Sequence, residues 1–165
     1  MGRVGLILGS KSDFPTAEKA LSVLQEFNIP VEVHILSAHR SPDEARRFAS
    51  SAREGGFLVL IAFAGMAAHL AGALAANTTL PVIGVPCKGS FFDGMDALLS
   101  TVMMPPGIPV ATVGVDAGKN AGLLAVEIMA ATDKELAEKL MEYRRKATED
   151  VLRTDAEFNT KYSSK

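Results

Sequence analysis

The 165-residue sequence predicts an α/β fold in which a parallel sheet of about five strands is covered by helices on both faces. The first observation is that apolar, strand-like runs alternate with helical patterns along the chain. The second is that the second run places Glu32 and His34 on one face, which is easier to tolerate at a sheet edge than in its centre. The third is an uncharged run over 57–76 that changes character at Ala64 and Gly65.

These patterns predict a flavodoxin-like three-layer sandwich with strand order 2-1-3-4-5 and a C-terminal helical extension. Each predicted strand except the fourth leads directly into its helix, whereas a longer loop follows the fourth. The predicted strands cover residues 3–9, 30–37, 57–64, 81–86 and 109–115. The predicted helices cover 15–27 and 42–54, an alanine-rich segment that ends near 76, then 94–104 and 120–130.

The uncharged run over 57–76 is about as long as a membrane span. Its first half is rich in β-branched and aromatic residues, whereas its second half is rich in alanine and contains His69 and Gly72. This change favours a buried strand that turns into a buried helix. The N-terminal apolar run is likewise interpreted as the first strand and not as a signal peptide.

Two helix starts have the pattern of a capping box. Ser41 precedes Pro42 and is followed three residues later by Glu44, and the sequence TDKE repeats the pattern at 132–135. The second box predicts a charged helix to about Arg153, so the chain is expected to divide into a flavodoxin-like domain over 1–131 and a C-terminal extension over 132–165. Its narrow apolar stripe either packs on its own domain or, as we expect, on a neighbouring subunit. The stripe consists of Leu136, Leu140, Tyr143 and Ala147.

The bulk composition excludes several classes of partner. Apolar residues make up 48% of the chain and the formal net charge is only −2, so neither nucleic acid nor a membrane is an expected partner. Cys87 is the single cysteine, which rules out an internal disulfide and fits a reducing cytoplasm. No Cys-x-x-Cys or His-x-x-x-His spacing indicates a metal site.

Ligands of open parallel sheets bind beyond the carboxyl ends of the strands, where the strand order reverses. For the predicted order this point lies between strands one and three. The loops 9–15, 37–40 and 64–70 meet there, and they contain two of the three histidines of the chain. The sequence therefore predicts the functional site at this crevice.

Each of these loops also has a structural explanation. The segment GSKSDFP (9–15) suits a phosphate site at a helix start, but simple helix initiation explains much of it, and it lacks the Walker and dinucleotide-binding patterns. His39 and Arg40 are either a polar turn or part of a functional site, in which Arg40 offers a fork for phosphate or carboxylate. His69 is either a core histidine or a catalytic residue, and the small residues around it predict a dry pocket for a small uncharged molecule.

The ordered segments GSKSD, SAHR, AGMAAHL, PVIGVP, MPPGIPVATV and KNAGLLA span most of the chain, from about residue 3 to 150. Together they resemble the family of the catalytic subunit of phosphoribosylaminoimidazole carboxylase of purine (IMP) biosynthesis, and specifically the microbial N5-carboxyaminoimidazole ribonucleotide mutases of class I. The resemblance implies a flavodoxin-like fold, a homo-octamer whose C-terminal helices embrace neighbouring subunits, and no metal or cofactor.

The resemblance also implies roles for ten residues. His39 would be the general acid–base, and His69 would join it as a catalytic residue in the pocket for carboxylate or carbon dioxide. Where the family has GAGGAAHLPG this chain departs from the pattern at Phe63, Met66 and Ala71. The implied substrate-binding residues are Ser10, Ser12, Asp13, Ser37 and Arg40 for the ribonucleotide, and Ala64, Gly65 and Leu70 for the carboxylate pocket.

The implied activity is that of an isomerase, which moves a carboxylate from the exocyclic nitrogen of a small ribonucleotide to ring carbon four with carbon dioxide as an intermediate. A related branch carboxylates aminoimidazole ribonucleotide directly, a lyase-type reaction, and has GRSN in place of the AAHL segment. The retained AAHL favours the mutase. The alternative hypotheses are a flavodoxin-like module that binds a nucleotide or flavin without turnover, and a structural oligomer that has no active site.

Overall fold

The chain folds around a parallel sheet of five strands, which lie in the order 2-1-3-4-5 when they are numbered along the chain, and this confirms the predicted order. The structure is a computed structural model and describes residues 2–89 and 92–163. The strands are β1 (Arg3–Leu8), β2 (Val31–Ile35), β3 (Phe57–Gly65), β4 (Val82–Cys87) and β5 (Ala111–Thr112). The α-helices are α1 (Phe14–Glu26), α2 (Pro42–Ser51), α3 (Leu70–Ala75), α4 (Met95–Val102), α5 (Gly118–Ala130) and α6 (Lys134–Tyr162).

Alternation along the strands builds one hydrophobic core on each face of the sheet. In β1, Val4, Leu6 and Leu8 join the core under α1 and α5, while Ile7 joins the core under α2 and α3. The central strands β1 and β3 are almost entirely buried because helices cover both faces. The predicted three-layer sandwich is therefore confirmed.

The edge positions of the sheet follow from the polarity of its strands. In β2, Glu32 accepts hydrogen bonds within 2.7 Å from Arg3 of β1 and from His34 of its own strand. The opposite edge strand β5 contains two residues, so the fifth strand is present but the predicted range 109–115 is too long. Pro109 has no N–H to donate to a ladder, and Gly114 already begins the turn into α5.

The uncharged segment 57–76 forms β3 and then α3, as the change in its composition predicts. It is divided between strand and helix by a turn at 66–69. No helix in residues 2–89 and 92–163 is long and apolar enough to cross a membrane.

Both predicted capping boxes are wrong in detail. The hydroxyl of Ser41 does not bond to the N–H groups of α2, because it accepts from Ser37 N at 2.9 Å and donates to Ser37 O at 3.2 Å. At α6 the capping residue is Asp133, whose carboxylate accepts from Leu136 N at 3.1 Å. Asp133 is one residue closer to the helix than Thr132, so its shorter reach to the third helical N–H decides the cap.

The first part of α6 packs on its own chain, so the prediction that Leu136 is buried against another chain is wrong. Leu136 is 1% exposed within the core under α1 and α5, and Leu140 and Tyr143 pack at the edge of that core. The ring of Tyr143 lies 5.6 Å from that of Phe27, whereas Ala147 is exposed. The helix also continues past the predicted end at 153 to Tyr162.

Helices α1 and α5 approach each other unusually closely on this face of the sheet. A Cβ atom at Gly118 would lie 2.0 Å from the carbonyl oxygen of Thr16, and one at Gly122 would lie 3.0 Å from that of Ala20. The two glycines therefore permit backbone contact between the helices. This contact fixes the start of α1 relative to the loop between β5 and α5.

Candidate active site

A crevice of about 660 Å³ lies at the carboxyl ends of the central strands, at the switch point between β1 and β3. All ten residues that the sequence analysis assigns to the site line this one crevice. The structure therefore brings the predicted residues together, while their individual roles remain predictions. They are Ser10, Ser12, Asp13, Ser37, His39, Arg40, Ala64, Gly65, His69 and Leu70.

The loop after β1 is held by a compact set of hydrogen bonds. Ser10 caps a short 3₁₀ turn over Lys11–Asp13, and its own N–H donates to Asp13 Oδ2 at 2.9 Å. The hydroxyl of Ser12 donates to that of Ser10 at 3.0 Å. Asp13 is the N-cap residue of α1, but its side chain makes no capping hydrogen bond to that helix. Both serines line the crevice.

Asp13 is a buried carboxylate at the floor of this loop. Burial raises the pKa of its carboxyl group above the ordinary value, and the N–H of Ser10 and the charge of Arg40 oppose this shift. A buried acceptor with few protein partners is suited to hydroxyl groups of a ligand, since these would replace the water that it has lost.

The loop after β2 presents Arg40 and His39 from a turn that is fastened at its base. Ser37 and Ser41 bond to each other, and Ser37 Oγ accepts from the backbone N–H of Arg40 at 3.1 Å. The guanidinium of Arg40 also donates to Gly9 O at 3.0 Å, which joins this loop to β1. His39 is exposed, and its ring makes no hydrogen bond to any residue in the described part of the chain.

The loop after β3 supplies the least polar part of the crevice. His69 occupies the N-cap position of α3, at the start of the helix. It is exposed to the crevice, which excludes the alternative of a core histidine. Ala64 and Gly65 are half-buried beside it, and Leu70 is buried.

Part of the crevice wall was not predicted from the sequence. Lys88 and Gly89 follow β4 and complete the wall beside β3. Asp116 holds this wall in place, since its Oδ1 accepts from Lys88 N at 2.9 Å and from Thr16 Oγ at 3.3 Å. The rule that ligands bind at the carboxyl ends of strands also applies to β4, so that rule was the signal available in the sequence.

Two further observations limit the chemistry of the site. Cys87 is buried behind the wall, and burial raises the pKa of its thiol to about 12, so it is not a nucleophile at neutral pH. Within residues 2–89 and 92–163, no three His, Cys, Asp or Glu side chains are grouped closely enough to hold a metal ion. The remaining titratable groups in the crevice are the histidines and the Asp13, Arg40 and Lys88 side chains.

Comparison with known proteins gives the family. The family model described as AIR carboxylase matches residues 3–150. The chain belongs to the AIR carboxylase family.

Relatives in this family match over most of their length. The N5-carboxyaminoimidazole ribonucleotide mutase of Pyrococcus abyssi is 53% identical over 144 residues, which cover 87% of this chain and 83% of the relative. The Bacillus subtilis protein of the same name is 52% identical over 151 residues, which cover 90% of this chain and 93% of the relative. The crystal structure of Treponema denticola PurE superposes with a TM-score of 0.85 at 29% identity and covers 98% of each chain.

This AIR carboxylase family chain has a second large depression at the opposite end of the sheet. It measures about 780 Å³ and includes an exposed Arg53 that donates to Thr79 Oγ. None of the ten predicted site residues lies there. The crevice at the switch point is therefore the candidate active site of this family member.

Proposed function

We propose that this chain is an N5-carboxyaminoimidazole ribonucleotide mutase of purine biosynthesis, an isomerase that forms 4-carboxyaminoimidazole ribonucleotide. The observation that carries the proposal is the collection of His39, Arg40 and His69 with three serines and a buried aspartate in one crevice. The names of relatives that are about half identical over nearly the whole chain support the same substrate.

In the proposed complex, the polar loops after β1 and β2 bind the ribonucleotide. Arg40 offers a planar fork for phosphate or carboxylate, and the hydroxyls of Ser10, Ser12 and Ser37 supply further donors beside it. Asp13 is placed to accept from the ribose hydroxyls. The capped turn and the anchored β2 loop hold these groups before the ligand arrives, which lowers the entropy cost of binding.

His39 is the proposed acid–base catalyst. Its imidazolium donates a proton to the exocyclic nitrogen while the nitrogen–carboxylate bond breaks, and the bonding electrons stay on nitrogen, so carbon dioxide is released. Ring carbon four then attacks the carbon of carbon dioxide, and the proton on carbon four passes to the neutral imidazole. An imidazole suits both steps because it changes protonation near neutral pH.

Carbon dioxide is therefore a proposed intermediate, held between the two steps in the part of the crevice next to β3. Ala64, Gly65 and Leu70 give this part a wall of small and apolar groups, as an uncharged molecule requires. His69 is placed to orient the carboxylate before and after transfer. The steps balance without an oxidant, a reductant or ATP, and we place the reaction in the cytoplasm.

We further propose that the chain forms a homo-octamer through the distal part of α6. Beyond Tyr143 the helix has exposed apolar side chains that its own domain does not cover, among them Val151, Leu152 and Phe158. Each is more than 60% exposed. Burial of such side chains against a second chain contributes about 1.5–3 kcal/mol each.

The test supplies each candidate ribonucleotide separately, with and without bicarbonate, and follows the carboxylated product. A mutase converts N5-carboxyaminoimidazole ribonucleotide without ATP, metal or added bicarbonate. Turnover of aminoimidazole ribonucleotide with bicarbonate alone would assign the chain to the direct carboxylases. Tight binding without turnover, or a visible absorption spectrum of the purified protein, would indicate a nucleotide-binding or flavin-binding module.

A further inference from the structure

The crevice changes its chemistry along the strand order. The loops after β1 and β2 contribute charged and hydroxyl groups, such as Arg40 and the Ser10–Ser12 pair. The loops after β3 and β4 contribute four small residues, Ala64, Gly65, Ala67 and Gly89, beside His69 and Lys88. Two large apolar side chains also line this small-residue end: Leu70, which is buried, and Met66, which is exposed.

Met66 has a backbone conformation that residues with side chains rarely adopt. Its φ angle is +56°, in the left-handed region that favours glycine. Its carbonyl oxygen accepts from Ala68 N at 2.9 Å, and His69 N donates to Ala67 O at 2.7 Å, so the turn is tightly closed. The side chain gains little from packing on its own chain, since it is 68% exposed. Neither local propensity nor core burial accounts for a methionine here.

The direction of the side chain supplies an explanation. Met66 Cγ lies 3.8 Å from the place where a Cβ atom at Gly89 would be, a van der Waals distance. Met66 therefore extends from the loop after β3 toward the loop after β4. Its side chain lines the small-residue end of the crevice beside Gly89.

We propose that Met66 is a retention residue, whose side chain covers this end of the crevice and keeps released carbon dioxide next to ring carbon four. The inference rests on the proposed mutase function. An apolar thioether excludes water without offering a nucleophile that competes for carbon dioxide. Its flexible side chain also moves aside when the ribonucleotide enters.

The experiment measures how much carbon dioxide escapes from the crevice during turnover. Each protein converts N5-carboxyaminoimidazole ribonucleotide in buffer containing ¹³C-bicarbonate, and mass spectrometry gives the ¹³C fraction in the 4-carboxy product. Aminoimidazole ribonucleotide released to solution is measured by chromatography, with enzyme-free loss subtracted. We expect several-fold more ¹³C incorporation and release for both Met66→Ala and Met66→Gly, and partial rescue by Met66→Leu.

The two small variants separate retention from a backbone role. Glycine relieves the left-handed conformation and alanine does not, so a purely structural role predicts different behaviour, whereas retention predicts equal escape. Met141→Ala is the matched control, because Met141 is 65% exposed on α6 and does not line the crevice. Wild-type escape in both Met66 variants, or equal escape in the Met141 variant, overturns the inference. Absence of any 4-carboxy product from the wild-type protein overturns the proposed function instead.

Discussion

His39 is presented to the crevice by a turn whose hydrogen bonds are made by its neighbours and not by its own ring. We therefore expect His39→Asn to fold normally and to bind the nucleotide, while turnover falls about 10²–10⁴-fold through loss of acid–base catalysis. Calorimetric binding and steady-state turnover measure the two effects. His69→Asn should impair carbon dioxide retention more than nucleotide affinity. Wild-type turnover in His39→Asn would remove His39 from the catalytic role.

Arg40→Ala should show the converse defect, with weaker nucleotide binding and a smaller effect on turnover. Removal of a charge-assisted contact worth about 1.5–3 kcal/mol weakens nucleotide binding about tenfold to a hundredfold. The contact is present in ground state and transition state alike, so kcat should change less than KM. Arg47→Ala is the control, since Arg47 is exposed on α2 and pairs with Glu44 outside the crevice. A fall in kcat with unchanged nucleotide affinity would contradict the assignment.

Replacement of Asp13 by asparagine should raise the free energy of unfolding by an amount that depends on pH. Burial raises the pKa of its carboxyl group in the folded chain, so the folded state binds more protons than the unfolded state between the ordinary value and the raised one. Ionised Asp13 therefore lowers the free energy of unfolding at neutral pH. Asp13→Asn should raise it at pH 7, with a gain that shrinks as the pH falls toward 3.8, and should weaken nucleotide binding. Urea unfolding across this range tests the sign.

Sequence reasoning located the three loops of the crevice because each follows a recognisable strand, and the resemblance to a known family selected the ten lining residues within them. It missed Lys88 and Gly89, since neither stands out by residue type after the fourth strand. It could not assign the orientation of Met66 either. A left-handed methionine is fixed by the closure of the surrounding turn, and no local propensity encodes it.

Among the elements, α6 allows a sharp test of its cap. Asp133→Ala should lower the free energy of unfolding by about 0.5–2 kcal/mol, because it removes the acceptor of the Leu136 N–H. Thr132→Ala is the matched control and should change little, since the Thr132 side chain does not bond to the start of the helix. Urea denaturation of the two variants measures the loss in free energy of unfolding that each substitution causes. A larger loss in Thr132→Ala would restore the predicted capping box.

Element type was predictable from periodicity, whereas element ends and caps were not. The five strands and the helices between them follow from their apolar patterns, and β5 was predicted too long because Pro109 and Gly114 limit its ladder. The stripe of α6 was assigned to another chain because spacing shows which face is apolar but not what covers it. In the structure, Phe27 and the core under α1 cover Leu136 and Tyr143.

For the whole molecule, the division of α6 predicts that assembly and folding can be separated. A chain ending at Ala147 keeps Leu136, Leu140 and Tyr143, so we expect a folded domain by circular dichroism. It loses the exposed distal apolar residues, so light scattering should show a particle far smaller than an octamer. Leu136→Ala should instead destabilise the domain itself by about 2–5 kcal/mol. A truncated chain that keeps its full oligomeric mass would refute the proposed role of distal α6.

The contact between α1 and α5 affects how sequence variants of this protein should be classified. Exchange of glycine for alanine normally ranks among the mildest substitutions, and in a helix it is usually favourable. At Gly118 the added methyl group would overlap the carbonyl oxygen of Thr16, three residues after Asp13. Similarity scores would therefore rate Gly118→Ala benign, although the geometry makes it a harmful allele through displacement of the loop that begins at Ser10.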